Sequence, residues 1–158
     1  MAPVAAATRA GVKIDLHVLD HALRTSVAEC DALIVEGAGG LLVPITDRVA
    51  FDALFARWNL EVVIVAANRL GVINHTRLTI AAARAAGLRV RVVALNNVKP
   101  STDTSARENA ALIAELEHVS VIELPWLSDS DDLDPISDLL LPHVLPELEF
   151  ARRPVARR

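Results

Sequence analysis

A chain of 158 residues has the length of one domain. It is 53 % hydrophobic and 3 % aromatic with a net charge of −4, which suits an α/β domain with a sheet buried on both faces and excludes the basic stripe that nucleic-acid binding requires. The single cysteine, Cys30, excludes a disulfide framework and fits a reducing cytoplasm. No apolar run approaches the ~18 residues that span a bilayer, and Met1-Ala2-Pro3-Val4 lacks the basic-then-apolar pattern of a signal peptide.

Residues 1–13 are small and weakly patterned and read as a loop or a short helical turn. Asp15 is an N-cap, with Ile14 packing on Leu19 as a hydrophobic staple. Leu16, Leu19, Leu23 and Val27 recur at helical spacing and predict that helix's buried face. His17 and His21 lie four apart without the acid of a zinc-protease motif and read as a solvated edge. Cys30 reads as a small buried residue with no activating neighbour. Residues 32–36 predict a first strand that ends in Gly37, Gly39 and Gly40. Residues 50–58 predict a short helix with Phe51, Leu54, Phe55 and Trp58 on its apolar face.

The second strand is predicted over 61–67. Asn74 is a fitting N-cap for a helix that buries Leu78, Ala82 and Ala85, and Gly87 is its stop. Residues 90–95 predict the third strand, broken by Asn96, Asn97 and Pro100. Ser105 and Glu108, three apart, make a capping box for a helix that buries Ala106, Ala110, Ile113 and Ala114. Residues 119–124 predict the fourth strand. An acidic loop over 128–134 leads to a last helix over 135–141, with Pro142 as its stop. Residues 1–149 thus form one α/β domain, and 150–158, with Arg152, Arg153, Arg157 and Arg158, are expected to be a disordered basic tail.

Four alternations of strand and helix predict parallel strands with right-handed crossovers, whose ligands sit at the carboxyl ends of the strands. Glu36 would be the sole charge at the tip of an apolar strand, where a carboxylate needs a partner, and a divalent metal beside a phosphate is a natural one. The glycines that follow let N–H groups converge on an anion. A tight turn with an incidental acid is the plainer reading of this stretch, and a turn pair is the plainer reading of Asn96-Asn97.

Val35-Glu36-Gly37-Ala38-Gly39-Gly40-Leu41-Leu42-Val43-Pro44 resembles the signature of the dethiobiotin synthetases, the ATP-dependent carboxylases of biotin biosynthesis. Leu70-Gly71-Val72-Ile73-Asn74-His75, Leu95-Asn96-Asn97 and Leu124-Pro125-Trp126-Leu127 follow in that family's order, although Glu61 stands where the family usually has proline. The resemblance covers the second half of the family's chain. It implies a P-loop NTPase-like, three-layer α/β fold, incomplete at its N-terminal side. It also implies a cytoplasmic homodimer that uses ATP and Mg2+ to close a cyclic urea on 7,8-diaminononanoate with carbon dioxide.

By motif, the resemblance makes Glu36 a magnesium ligand and puts it in the nucleotide site with Gly37, Ala38 and Gly39. Asn96 and Asn97 resemble the pair that reads adenine; Pro125, Trp126 and Leu127 resemble the pocket wall, and Asp132 a further acidic contact. Leu70, Gly71 and Asn74 resemble the loop that receives the substrate carboxylate across a two-fold interface. The family's Gly-x-x-x-x-Gly-Lys-Thr loop has no counterpart, for the only lysines are Lys13 and Lys99, and no catalytic residue is assigned within this chain. Three readings stay open: a dethiobiotin synthetase in partial form, another ligase of the same ATPase superfamily such as a cobyrinate amidotransferase-type synthase, and a non-catalytic dimerising remnant.

Overall fold

The computed structural model describes residues 1–99, 106–128 and 133–145, without the side chains of Ala106 and Arg107. The expectations for Pro100, Ser105, the burial of Ala106, Asp132, most of the acidic loop and the basic tail lie outside the described residues. Along the chain run α1 (Pro3–Ala10), α2 (Leu16–Glu29), α3 (Phe51–Arg57), β1 (Glu61–Ala67), α4 (Val72–Ala85), β2 (Arg89–Asn96), α5 (Ala106–Glu117), β3 (Ser120–Leu124) and α6 (Asp134–Val144).

The three strands form one parallel sheet in the order β1-β2-β3. The parallel arrangement expected of the α/β class is therefore present. Alternation along the strands, shifted in β2 by an irregularity between Val90 and Val92, turns Val62, Ile64 and Ala66 of β1, and Val90, Val93 and Leu95 of β2, towards α4 and α5. There Ile80 and Ile113 complete a core with no exposed surface of their own. α6 packs on β2 and β3, where Val92 and Ala94 are fully buried, and Arg91 Nε donates to the His143 carbonyl at 2.7 Å. Among the described residues no such cover lies over β1: Val65, in the middle of the strand, is 62 % exposed.

α4 ends in a Schellman closure: Gly87, at φ +78, donates to the Arg84 carbonyl and Leu88 to that of Ala83. This meets the expectation for Gly87. Asp15 caps α2 as expected, its carboxylate accepting from the His17 N–H at 2.9 Å. The buried carboxylate of Asp20 pairs with Arg57 and accepts from Trp58 Nε1 at 2.8 Å, which ties α2 to α3. Phe51, Phe55 and Trp58 stack along α3.

Several expectations fail, each for a physical reason. Residues 32–36 form no strand, because a strand exists only by pairing and no neighbouring strand lies beside them among the described residues. Among the described residues the sheet accordingly has three strands instead of four. Of the two readings of residues 1–13, the helical one holds, extended to a two-turn helix opened by Pro3 and closed at Gly11 with φ +68. Asn74 is not an N-cap: Gly71, at φ +92, precedes the first helical residue, Val72. The buried face of α4 is Val72, Thr76, Ile80 and Ala83, while Leu78 is 61 % exposed. Thr76 conceals the true stripe and Leu78 imitates one. On α2, Val27 is exposed and Asp20 is the buried residue, because the helix meets a polar clamp rather than a core. Cys30 is exposed, its thiol donating to the Ser26 carbonyl at 3.0 Å. α6 runs through Pro142 to Val144, giving up the one hydrogen bond that proline cannot donate.

Candidate functional site

The carboxyl ends of the strands bring Asn68, Asn96, Asn97 and Pro125 side by side. Asn96 pairs with Leu124 in the β2–β3 register, so Pro125 and Trp126 continue directly beside Asn96 and Asn97. The backbone is stitched on both sides: Asn68 N–H donates to the Asn96 carbonyl at 2.8 Å and Asn97 N–H to the Leu124 carbonyl at 3.2 Å. A chain of amides adds to this. Asn109 Nδ2 donates to Asn68 Oδ1 at 2.8 Å, Asn68 Nδ2 to Asn97 Oδ1 at 3.0 Å, and Asn97 Nδ2 to the Leu124 carbonyl at 3.0 Å. Both Asn68 and Asn109 are buried, so the relay operates in a low-dielectric setting that makes each bond costly to lose. Both sides of the Asn97 amide are thus engaged within the protein, whereas Asn96 makes no side-chain hydrogen bond among the described residues.

Asn68 and Asn109 are functional-site neighbours that sequence reasoning missed. The signal for Asn109 was present, since it lies four residues before the buried Ile113 on one face of α5. A lone amide on an apolar face needs a buried partner.

Glu36, Gly37 and Gly39 line a cavity of about 930 Å3 together with the β1 edge, Arg69 and Leu70. Only Gly39 requires glycine for its own backbone: φ is +94, and a Cβ would stand 3.0 Å from Val43 Cγ2. Glu36 and Ala38 are exposed. Gly71 and Asn74 line a separate, shallow groove with Arg77, Leu78 and Glu117. There the half-buried Glu117 carboxylate is gripped by Arg77 at 2.6 Å and Arg84 at 2.9 Å, and the Arg77 hydrogen bond foremost holds it below the usual carboxylate range. The expected site residues therefore fall into three groups: Glu36, Gly37, Gly39 and Leu70 around the cavity; Gly71 and Asn74 in the groove; Asn96, Asn97, Pro125, Trp126 and Leu127 at the ends of β2 and β3, in neither lining, although Asn96 pairs with Ala67 of the cavity wall.

The donor set bears on a metal. Among the described residues no group of three His, Cys, Asp or Glu side chains could hold an ion. One carboxylate, Glu36, fits a magnesium ion carried chiefly by phosphate and water, which commonly takes one or two protein carboxylates, and does not fit an ion held by protein alone. No helix among the described residues is long and apolar enough to cross a membrane.

A family model described as an AAA domain matches residues 1–133. The ATP-dependent dethiobiotin synthetase BioD of Anaeromyxobacter dehalogenans (strain 2CP-C) is 42 % identical over 130 residues, 82 % of this chain and 58 % of that protein. The protein of the same name from Bacillus thuringiensis (strain Al Hakam) is 39 % identical over 124 residues, 78 % of this chain and 51 % of that protein. That of Anaeromyxobacter sp. (strain Fw109-5) is 38 % identical over 116 residues, covering 73 % and 52 %. The chain thus spans little more than half the length of these relatives. With a parallel α/β sheet, the Glu36 glycine stretch and this identity over most of its length, the chain belongs to the ATP-dependent dethiobiotin synthetase family.

Proposed function

We propose that this chain supplies the base-binding end, one metal ligand and the substrate-carboxylate loop of a dethiobiotin synthetase. The reaction is ATP-driven closure of 7,8-diaminononanoate and carbon dioxide to dethiobiotin. The observation that carries the reading is the juxtaposition of Asn96 with Pro125 and Trp126 at adjoining strand ends. An amide can donate and accept at once, as a purine edge requires, and of the two amides Asn96 is the one with no side-chain hydrogen bond among the described residues. Asn97 serves the same site by holding β2 against β3, and Leu127 completes the wall. Asp132 remains a proposed further contact.

Glu36 would hold magnesium beside the nucleotide phosphates, with Gly37, Ala38 and Gly39 along the same strip. The ion, when bound, neutralises charge on the transferring phosphoryl group. Leu70, which is 89 % exposed, Gly71 and Asn74 protrude at the start of α4. We read them as a loop completed across a homodimer interface, with the α4 N-terminus favouring the substrate carboxylate.

Phosphoryl transfer needs several preorganised donors around the phosphates, above all the lysine and N–H groups of a phosphate loop, and the sequence contains no such loop. Even one such donor is commonly worth about 10²–10³ in rate. The test is incorporation of labelled bicarbonate into dethiobiotin with diaminononanoate, ATP and magnesium supplied. The 158-residue chain alone is expected to give none above background, and addition of a polypeptide bearing the phosphate loop is expected to restore it. Turnover by the lone chain would refute the assignment of phosphate binding to another polypeptide and turn attention to Arg69 in the cavity wall.

A further inference from the structure

β3 stops pairing at Leu124, whose partner in β2 is Asn96, and the next residue, Pro125, has no N–H with which to continue the ladder. The direction in which Pro125 and Trp126 leave the sheet is therefore set by the peptide group that joins Leu124 to Pro125. Its carbonyl accepts twice from one residue, from Asn97 N–H at 3.2 Å and from Asn97 Nδ2 at 3.0 Å. A backbone carbonyl can only accept, so Asn97 must turn Nδ2 to it and Oδ1 to Asn68. The same rule passes along the chain: Asn68 turns Nδ2 to Asn97 and Oδ1 to Asn109 Nδ2. The three amides thus share one polarity, fixed at the Leu124 carbonyl and ending on α5. Asn68 also holds Asn96 directly, its N–H donating to the Asn96 carbonyl at 2.8 Å. Asn68 and Asn109 are buried, where a bonded amide contributes little more than an apolar residue that fits and a misplaced one costs stability. Buried amides bonded in sequence mark a place where geometry matters more than packing.

We propose that Asn109 is a positioning residue for base selection: acting through Asn68 and Asn97, it fixes the Leu124–Pro125 peptide group against Asn96 and so favours adenine over guanine. The inference rests on the reading of Asn96, Pro125 and Trp126 as the base site. Adenine presents an amino donor where guanine presents a carbonyl acceptor. The Asn96 amide on its own can turn over to serve either. Selection then requires a wall that holds the base in one position relative to that amide, and the relay holds the wall. Asn109 itself lies on α5, one turn before the buried Ile113, and reaches the Leu124 carbonyl only through two other amides. Removing its donor frees Oδ1 of Asn68 and loosens the series at the end remote from the base.

The test titrates the isotope-labelled 158-residue chain with AMP and with GMP, probes that present the base without calling on a phosphate loop, and follows its amide NMR signals. The parent is expected to prefer AMP. Asn109→Leu, which keeps the branched shape and removes the donor, is expected to lower that preference about fivefold or more. It is also expected to shift the Asn97 side-chain amide signals before any nucleotide is added. Should Asn109→Leu not fold, Asn109→Ala gives the same reading. Ile113→Val, a core loss on the same helix that leaves the relay intact, is expected to keep the parental preference. An unchanged preference in the Asn109 variants would overturn the proposal, as would equal weakening of both nucleotides or the same fall in Ile113→Val, the signs of a merely structural amide. Asn96→Ala separates the two levels. If it binds AMP as the parent does, or if the parent binds none, the base site falls and the proposal with it. If Asn96→Ala is weakened while the Asn109 variants match the parent, the base site stands and the role of Asn109 alone is refuted.

Discussion

The Asn97 amide accepts from Asn68 and donates to Leu124, so Asn97→Ala strands two partners and is expected to lower stability by about 1–2 kcal/mol in urea unfolding. Asn96→Ala is expected to leave stability within about 0.5 kcal/mol and to weaken adenine-nucleotide binding in the completed enzyme, as read by calorimetry. Equal nucleotide affinity in Asn96→Ala and the parent would remove Asn96 from the site. Glu36 is exposed and lies in no strand, so Glu36→Gln should not disturb folding. In the completed enzyme it is expected to lower magnesium-dependent turnover by about 10²-fold or more, and undiminished turnover would make Glu36 a bystander.

At the scale of elements, α4 shows how a helix can be recognised while its orientation is misread. Its length and Gly87 stop are legible, but its buried stripe contains Thr76, which is 1 % exposed with no hydrogen-bond partner for Oγ1 among the described residues. A buried hydroxyl without a partner costs stability, and its apolar near-isostere does not incur that cost. Thr76→Val is expected to raise the urea midpoint, by about 1 kcal/mol in unfolding free energy, whereas Leu78→Ala on the exposed face is expected to change it by less than about 0.5 kcal/mol. A larger loss at Leu78 than at Ile80→Ala would reverse the orientation of the helix.

At the scale of the whole molecule, two carboxylates among the described residues bridge elements and contribute acid sensitivity. Asp20, bonded first to Trp58 and then paired with Arg57, is held below its ordinary value of 3.8, and Glu117, gripped by Arg77 and Arg84, below 4.5. Groups with folded values depressed in this way contribute stability in full above their unfolded values and lose it as pH falls through the folded ones. The melting temperature is therefore expected to be level above about pH 5 with respect to these groups and to fall as the pH drops below 4. Asp20→Asn should be less stable than the parent at pH 7 and show a shallower acid loss; an unchanged acid profile would count against the clamp. Assembly belongs to this scale as well. A homodimer through the protruding Leu70–Gly71–Asn74 loop is expected in sedimentation at micromolar concentration, and a monomer alone would count against it.

Sequence by itself determined the α/β class, the whole of β1, and the cores of β2 and β3. These rest on short apolar β-branched runs bounded by turn residues, which are local signals. The Asp15 cap and the Gly87 stop were legible as well, from local signals of the same kind. Tertiary structure alone decided what depends on a distant partner. Residues 32–36 have the composition of a strand and remain unpaired, because hydrogen bonds to a neighbouring strand, rather than composition, make a strand. Asn96 and Asn97 are equivalent as letters, yet among the described residues only the Asn97 side chain bonds to the Asn68 amide and the Leu124 carbonyl, which no local signal announces. The buried positions of Asp20, Thr76 and Asn109 were likewise invisible, since burial of a polar side chain is set by what packs over it and not by its own chemistry.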